Sequence, residues 1–160
     1  MKNRSKGIII SAVLIMSFLL AACTQQPQQP PQENTDQQQE ETVMLKAEIK
    51  GNSYDIVLED NSSATAFVAK LKENDLVIEL DDYGNFEKVG RLPYSLPTND
   101  TRITTKPGDV ILYQGNNITI YYDENTWTFT KLGVIADLNE EQLRTVLGSG
   151  SVTVRFYLDK

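Results

Sequence analysis

Val43, Leu45, Ala47 and Ile49 alternate with Met44, Lys46, Glu48 and Lys50, the period-2 arrangement of a strand with one buried face. Gly51-Asn52 turns the chain and Tyr54, Ile56 and Leu58 continue the alternation, so the segment predicts a β-hairpin. After Asp60-Asn61 the period lengthens. Ala64, Phe67, Val68 and Leu71 fall at i, i+3, i+4 and i+7, which predicts an amphipathic helix over residues 63–73 capped by Asn61 or Ser62. Leu76, Ile78 and Leu80 return to strand spacing, and Asp81-Asp82-Tyr83-Gly84-Asn85 reads as a turn. From 86 to 106 the pattern is irregular, with Pro93 and Pro97 interrupting any ladder, and the stretch reads as the long loop of the domain.

Strand patterns resume at 110–113 and 118–122 around Gln114-Gly115-Asn116-Asn117, whose Gly and Asn tolerate positive φ, and again at 127–132. Asn139 with Gln142 three residues on forms a capping-box start to a short helix carrying Leu143, Val146 and Leu147, and Gly148 stops it. Val152, Val154, Phe156 and Leu158 alternate in a last strand. Seven or eight strands with two helices over residues 43–160 predict a mainly β fold closed into a barrel, because closure removes exposed edges.

Ahead of this domain lie two segments of different character. Lys2, Arg4 and Lys6 precede an apolar run over residues 7–22 that ends in Leu20-Ala21-Ala22, directly before Cys23. A cationic start, an apolar core and small residues before the cut site make a secretory signal. The run is shorter than the roughly 20 residues that a membrane-crossing helix needs. A thiol at the first mature position can take a diacylglyceryl group, and Leu20-Ala21-Ala22-Cys23 resembles a lipobox, so residues 1–22 are expected to be removed and Cys23 lipidated. Two or three acyl chains, at about 0.8 kcal/mol per buried methylene, anchor stably. The expected place of work is the extracytoplasmic face of a cell membrane. Residues 24–42, rich in Gln, Pro and acid, hold no large apolar side chain and read as a disordered tether.

Composition narrows the chemistry. Cys23 is the only cysteine and histidine is absent, so a lipidated chain retains no thiol nucleophile, no disulfide, and no imidazole base or metal ligand. Loss of three cations with the leader takes the formal charge from −7 to −10, which disfavours nucleic acid as a partner. Asp81-Asp82 and Asp123-Glu124 lack the spacing of a calcium loop, and Glu140-Glu141 suits the first turn of a helix. No metal or other cofactor is called for.

Ser95-Leu96-Pro97-Thr98-Asn99-Asp100, then Ile103-Thr104-Thr105-Lys106-Pro107-Gly108-Asp109-Val110-Ile111-Leu112-Tyr113-Gln114-Gly115-Asn116, Asn125-Thr126-Trp127 and Lys131-Leu132-Gly133 together resemble the bacterial cyclophilin-like fold proteins. The resemblance covers essentially all of residues 43–160. It implies a closed barrel of about eight strands plugged by two short helices, and it leaves activity open.

Prolyl cis/trans isomerisation, with a barrier of about 18–20 kcal/mol, needs no covalent step. In cyclophilins, as the resemblance implies, an arginine and an apolar aromatic pocket carry it, within a Phe-His-Arg stretch and a Gln-Gly-Gly-Asp stretch. Neither stretch occurs here, and Gln114-Gly115-Asn116 has a sufficient explanation as a turn. Arg91 and Arg102 are the candidate guanidiniums of a cleft, with Phe86, Tyr94, Tyr113 and Trp127 as its candidate apolar wall. The favoured expectation is a non-catalytic module that binds a peptide or small ligand. The alternative is a prolyl isomerase acting on exported proteins.

Overall fold

The computed structural model describes residues 43–159. The leader, the tether and Cys23 with its flanking Leu20, Ala21 and Ala22 lie outside the described residues. Strands β1 (Met44–Ile49) and β2 (Asn52–Leu58) form the hairpin that the alternation predicts, with Leu45, Ala47 and Ile49 buried. The turn sits one residue earlier than expected. Lys50 and Gly51 occupy positive φ (52° and 80°) and Ile49 pairs with Asn52, as a two-residue hairpin turn matched to strand twist requires.

Helix α1 (Ser62–Glu73) begins where Asn61 accepts a hydrogen bond from the Ala64 amide. Its Phe67 ring meets Phe156 edge-on at 5.7 Å. Strand β3 (Leu76–Tyr83) runs through Asp81 and Asp82, which the sequence pattern places in a turn; the reversal comes instead at Gly84-Asn85. Two strands lie inside the stretch expected to be irregular. These are β4 (Glu87–Arg91), paired with β3 and with β7 (Asn117–Tyr121), and β5 (Thr101–Thr104), paired with the first half of β8 (Thr126–Ile135). The longest part of that stretch left irregular is residues 92–100, and there Leu92 and Leu96 are buried in the core.

β6 (Asp109–Tyr113) and β7 (Asn117–Tyr121) form the second hairpin, β8 (Thr126–Ile135) follows, and β9 (Val152–Asp159) ends the chain. α2 (Glu140–Leu147) lies between β8 and β9, with both bonds of the Asn139/Gln142 capping box formed. The strand order is β2-β1-β9-β3-β4-β7-β6-β8, and β8 returns to β2 through Ile56↔Ile135, Val57↔Val134 and Leu58↔Gly133. This is a closed, antiparallel barrel of eight strands, with β5 as a ninth outside the ring.

The main core fills the barrel. Val110, Leu112, Ile118 and Ile120 point inward, while Ile111 and Tyr121, odd in the alternation, join Phe129 in a second buried cluster on the outer face. That outer cluster underlies the site.

Candidate functional site

The outer face of β4, β7, β6 and the start of β8 is concave, and it encloses a cleft of about 350 Å³. Its position follows from strand parity. Glu87 and Val89 alternate outward on β4 opposite Tyr121 and Thr119 on β7, and Tyr113, Trp127 and Phe129 come from the same face of β6 and β8. Tyr83 and Phe86 reach in from either side of the Gly84-Asn85 turn. The glycine is needed there, since a Cβ on Gly84 would lie 2.3 Å from the Phe86 ring.

Most of the wall is aromatic and mutually packed. Phe86 stacks on Tyr121 at 6.0 Å with an interplanar angle of 15°, Tyr83 meets Phe86 edge-on at 5.9 Å, and Phe129 meets Tyr121 at 5.6 Å and Tyr113 at 6.0 Å. Tyr83 and Trp127 are exposed at the rim, 62% and 56% accessible. Large exposed aromatics over a buried aromatic floor are the usual make-up of a ligand-binding concavity.

The floor is polar at two points. Glu87 is 7% exposed and Thr119 is 2% exposed. Glu87 Oε2 and Thr119 Oγ1 have no hydrogen-bond partner within the protein. Burial pushes the Glu87 carboxyl above the usual carboxylate range, and the nearby Tyr121 hydroxyl pulls it the other way. Burial first, and Glu87 second, hold the Tyr121 hydroxyl well above the ordinary phenol range. Buried polar atoms are nearly always paired, so two unpaired ones lining one concavity mark it out.

Residues 47–157 match the family described as the cyclophilin-like family. The chain belongs to that family. No curated protein matches it.

Within this cyclophilin-like domain, Phe86, Tyr113 and Trp127 of the six residues assigned from sequence to a cleft do line the aromatic one. Arg91 and Tyr94 lie elsewhere, in a separate concavity with Pro93 and Asn116 beyond the end of β4. Arg102 is exposed on β5, opposite Thr128. Arg91 pairs with Asn117, itself a lining residue, at the far end of the β4–β7 ladder from Glu87, so it flanks the cleft without lining it. No Lys or Arg is among the described residues lining the aromatic cleft.

Sequence reasoning passed over Glu87, Thr119, Tyr121 and Phe129, which make the floor. Three acids of the sequence pairs are tied up internally. Asp82 takes the Lys88 ammonium and the Tyr122 hydroxyl, Asp81 accepts from Ser151, and Asp123 pairs with Arg144 at 2.7 Å. Among the described residues no cluster of three potential metal ligands occurs, and no helix is long and apolar enough to cross a membrane.

Proposed function

We propose that this protein is a lipid-anchored, extracytoplasmic member of the cyclophilin-like family whose domain binds a peptide or small ligand without catalysis. The observation that carries the binding reading is the aromatic cleft with a floor of unpartnered polar atoms, whose described lining residues include no arginine. A prolyl isomerase of cyclophilin type would need an arginine beside the substrate proline, and neither candidate arginine is among the described residues lining that cleft, although Arg91 flanks its Asn117 end. The anchoring reading rests on Leu20-Ala21-Ala22-Cys23 behind its cationic, apolar leader. The membrane is then the partner on the Cys23 side, and the cleft is presented on the tether of residues 24–42.

A proline-peptide isomerisation assay on the chain tests the first part. The expected rate equals the uncatalysed one. Turnover well above it that disappears in Arg91→Ala or Arg102→Ala would establish the isomerase instead. Lipid labelling tests the second. Incorporation sensitive to globomycin and lost in Cys23→Ala is expected, and labelling that persists in that variant would remove the lipoprotein assignment.

A further inference from the structure

We infer that the aromatic cleft recognises a small organic amine in its ammonium form, with Glu87 Oε2 and Thr119 Oγ1 taking its N–H groups and the surrounding rings taking its charge and apolar body. The inference rests on the reading of this cleft as a binding site and names the chemistry of its ligand.

Three independent features point to the same kind of group. First, Glu87 and Thr119 are each more than nine-tenths buried, line the cleft, and keep an oxygen with no partner in the protein. Leaving such an atom unpaired is costly, more so for a charged group. A bound donor removes that cost. The two residues are diagonal neighbours across the β4–β7 ladder, since Glu87 pairs with Tyr121 and Val89 with Thr119; diagonal positions lie about 7–8 Å apart, within reach of one bridging ammonium.

Second, the rings of Phe86, Tyr121, Phe129, Tyr113 and Trp127 surround this floor, and aromatic faces attract cations, most strongly where water is excluded. Third, charge is uncompensated. Glu87 is the one carboxyl among the described lining residues, with no cation beside it. Lys88, next along β4, lies on the other face of the strand and is paired with Asp82. A metal ion fits poorly, because it would find a single carboxylate among rings. A quaternary ammonium offers no N–H to the unpartnered oxygens. The cavity, at about 350 Å³, has the size of a small-molecule site.

The other titratable groups facing Glu87 are phenols, Tyr83 from β3, Tyr113 from β6 and Tyr121 from β7; β8 contributes only Trp127 and Phe129. As pH falls the amine stays protonated, whereas Glu87 loses its charge on titration. Affinity is therefore expected to fall as pH drops through the Glu87 titration, which burial has displaced upward.

Trp127 is the only tryptophan and stands at the cleft rim, so its fluorescence reports occupancy. The test titrates the full chain carrying Cys23→Ser with 2-phenylethylammonium and, separately, with 2-phenylethanol. The amine is expected to bind at least tenfold more tightly than the alcohol. Glu87→Gln is expected to weaken the amine at least tenfold and change the alcohol less than twofold; Thr119→Val is expected to weaken the amine severalfold and provides a second variant should Glu87→Gln misfold. Equal binding of amine and alcohol, or an amine affinity that both variants leave intact, would overturn the ammonium assignment while the cleft stands as a binding site. If neither compound changes Trp127, the ammonium assignment and the cleft reading fail together. Stronger binding of a blocked lysine, Nα-acetyl-lysine methylamide, than of phenylethylammonium would overturn the small-amine class.

Discussion

Glu87 and Lys88 are adjacent, both buried, and face opposite sides of the barrel wall. They differ in what meets them. The Lys88 side chain is wholly inaccessible, yet Nζ donates to Asp82 and to the Gly150 carbonyl and lies 5.6 Å from the Tyr122 ring. The Asp82 side chain is 27% exposed, its carboxyl is held below the usual range chiefly by the Lys88 hydrogen bond, and burial with Asp82 pushes the Tyr122 hydroxyl up to about 12. Removing the acid strands a buried cation; removing the cation leaves an acid that reaches water. Asp82→Asn is therefore expected to destabilise by about 3–5 kcal/mol in urea unfolding and Lys88→Met by clearly less. A depressed carboxyl stabilises the fold fully above its unfolded value, about 3.9, so the Asp82 contribution is lost as pH falls through its lower folded value. Glu87 has the opposite sign. Its raised folded value means that ionisation opposes folding as pH rises above the unfolded value, about 4.3. Glu87→Gln is expected to raise the melting temperature at pH 7, and the gain to vanish below about pH 4, where the carboxyl is protonated in both states.

At the scale of elements, periodicity located what alternates and missed what does not. β1, β2, β9 and both helices have one apolar face and one polar face, so their residues are legible singly. β4 is Glu87-Lys88-Val89-Gly90-Arg91, a strand with one large apolar residue and two buried charges; its spacing carries no hydrophobic signal, and it reads as loop. β5 is Thr101-Arg102-Ile103-Thr104 and hides for the same reason. The site suffers from both effects. Phe86, Tyr113 and Trp127 are visible as aromatics near turns, whereas Tyr121 and Phe129 sit in strands apolar on both faces, where nothing distinguishes outer cluster from barrel core. Strand number predicts closure of the ring, and the residue that permits it is legible only in the structure. A Cβ on Gly133 would stand 2.5 Å from the Val57 carbonyl and 2.9 Å from Ile56 Cγ2, at the seam where β8 meets β2. Backbone cannot yield as a flexible side chain can. Gly133→Ala is thus expected to cost about 1–3 kcal/mol in denaturant unfolding, and an unchanged midpoint would show that the seam is loose.

For the molecule as a whole, the question is whether the outer aromatic cluster is a separate unit or part of the barrel. Its residues share strands with the main core: Ile111 and Tyr113 alternate with Val110 and Leu112 on β6, and Thr119 and Tyr121 with Ile118 and Ile120 on β7. Neither face of such a strand can lose its ladder while the other keeps it. The ring also has no free edge at which unfolding could begin strand by strand, since β8 pairs back onto β2. A closed sheet with one interior core of this size is expected to unfold in a single step. Trp127 reports the outer face, and far-ultraviolet circular dichroism reports the strands. Their urea midpoints are expected to coincide. Phe67→Ala, which removes a ring packed on Phe156 in the main core, is expected to lower both midpoints together, at about 3–5 kcal/mol for an aromatic truncated in a full core. A Trp127 transition that precedes the circular dichroism change, or that fails to move in Phe67→Ala, would mean that the cleft loosens on its own; a site pre-organised by the barrel predicts one transition.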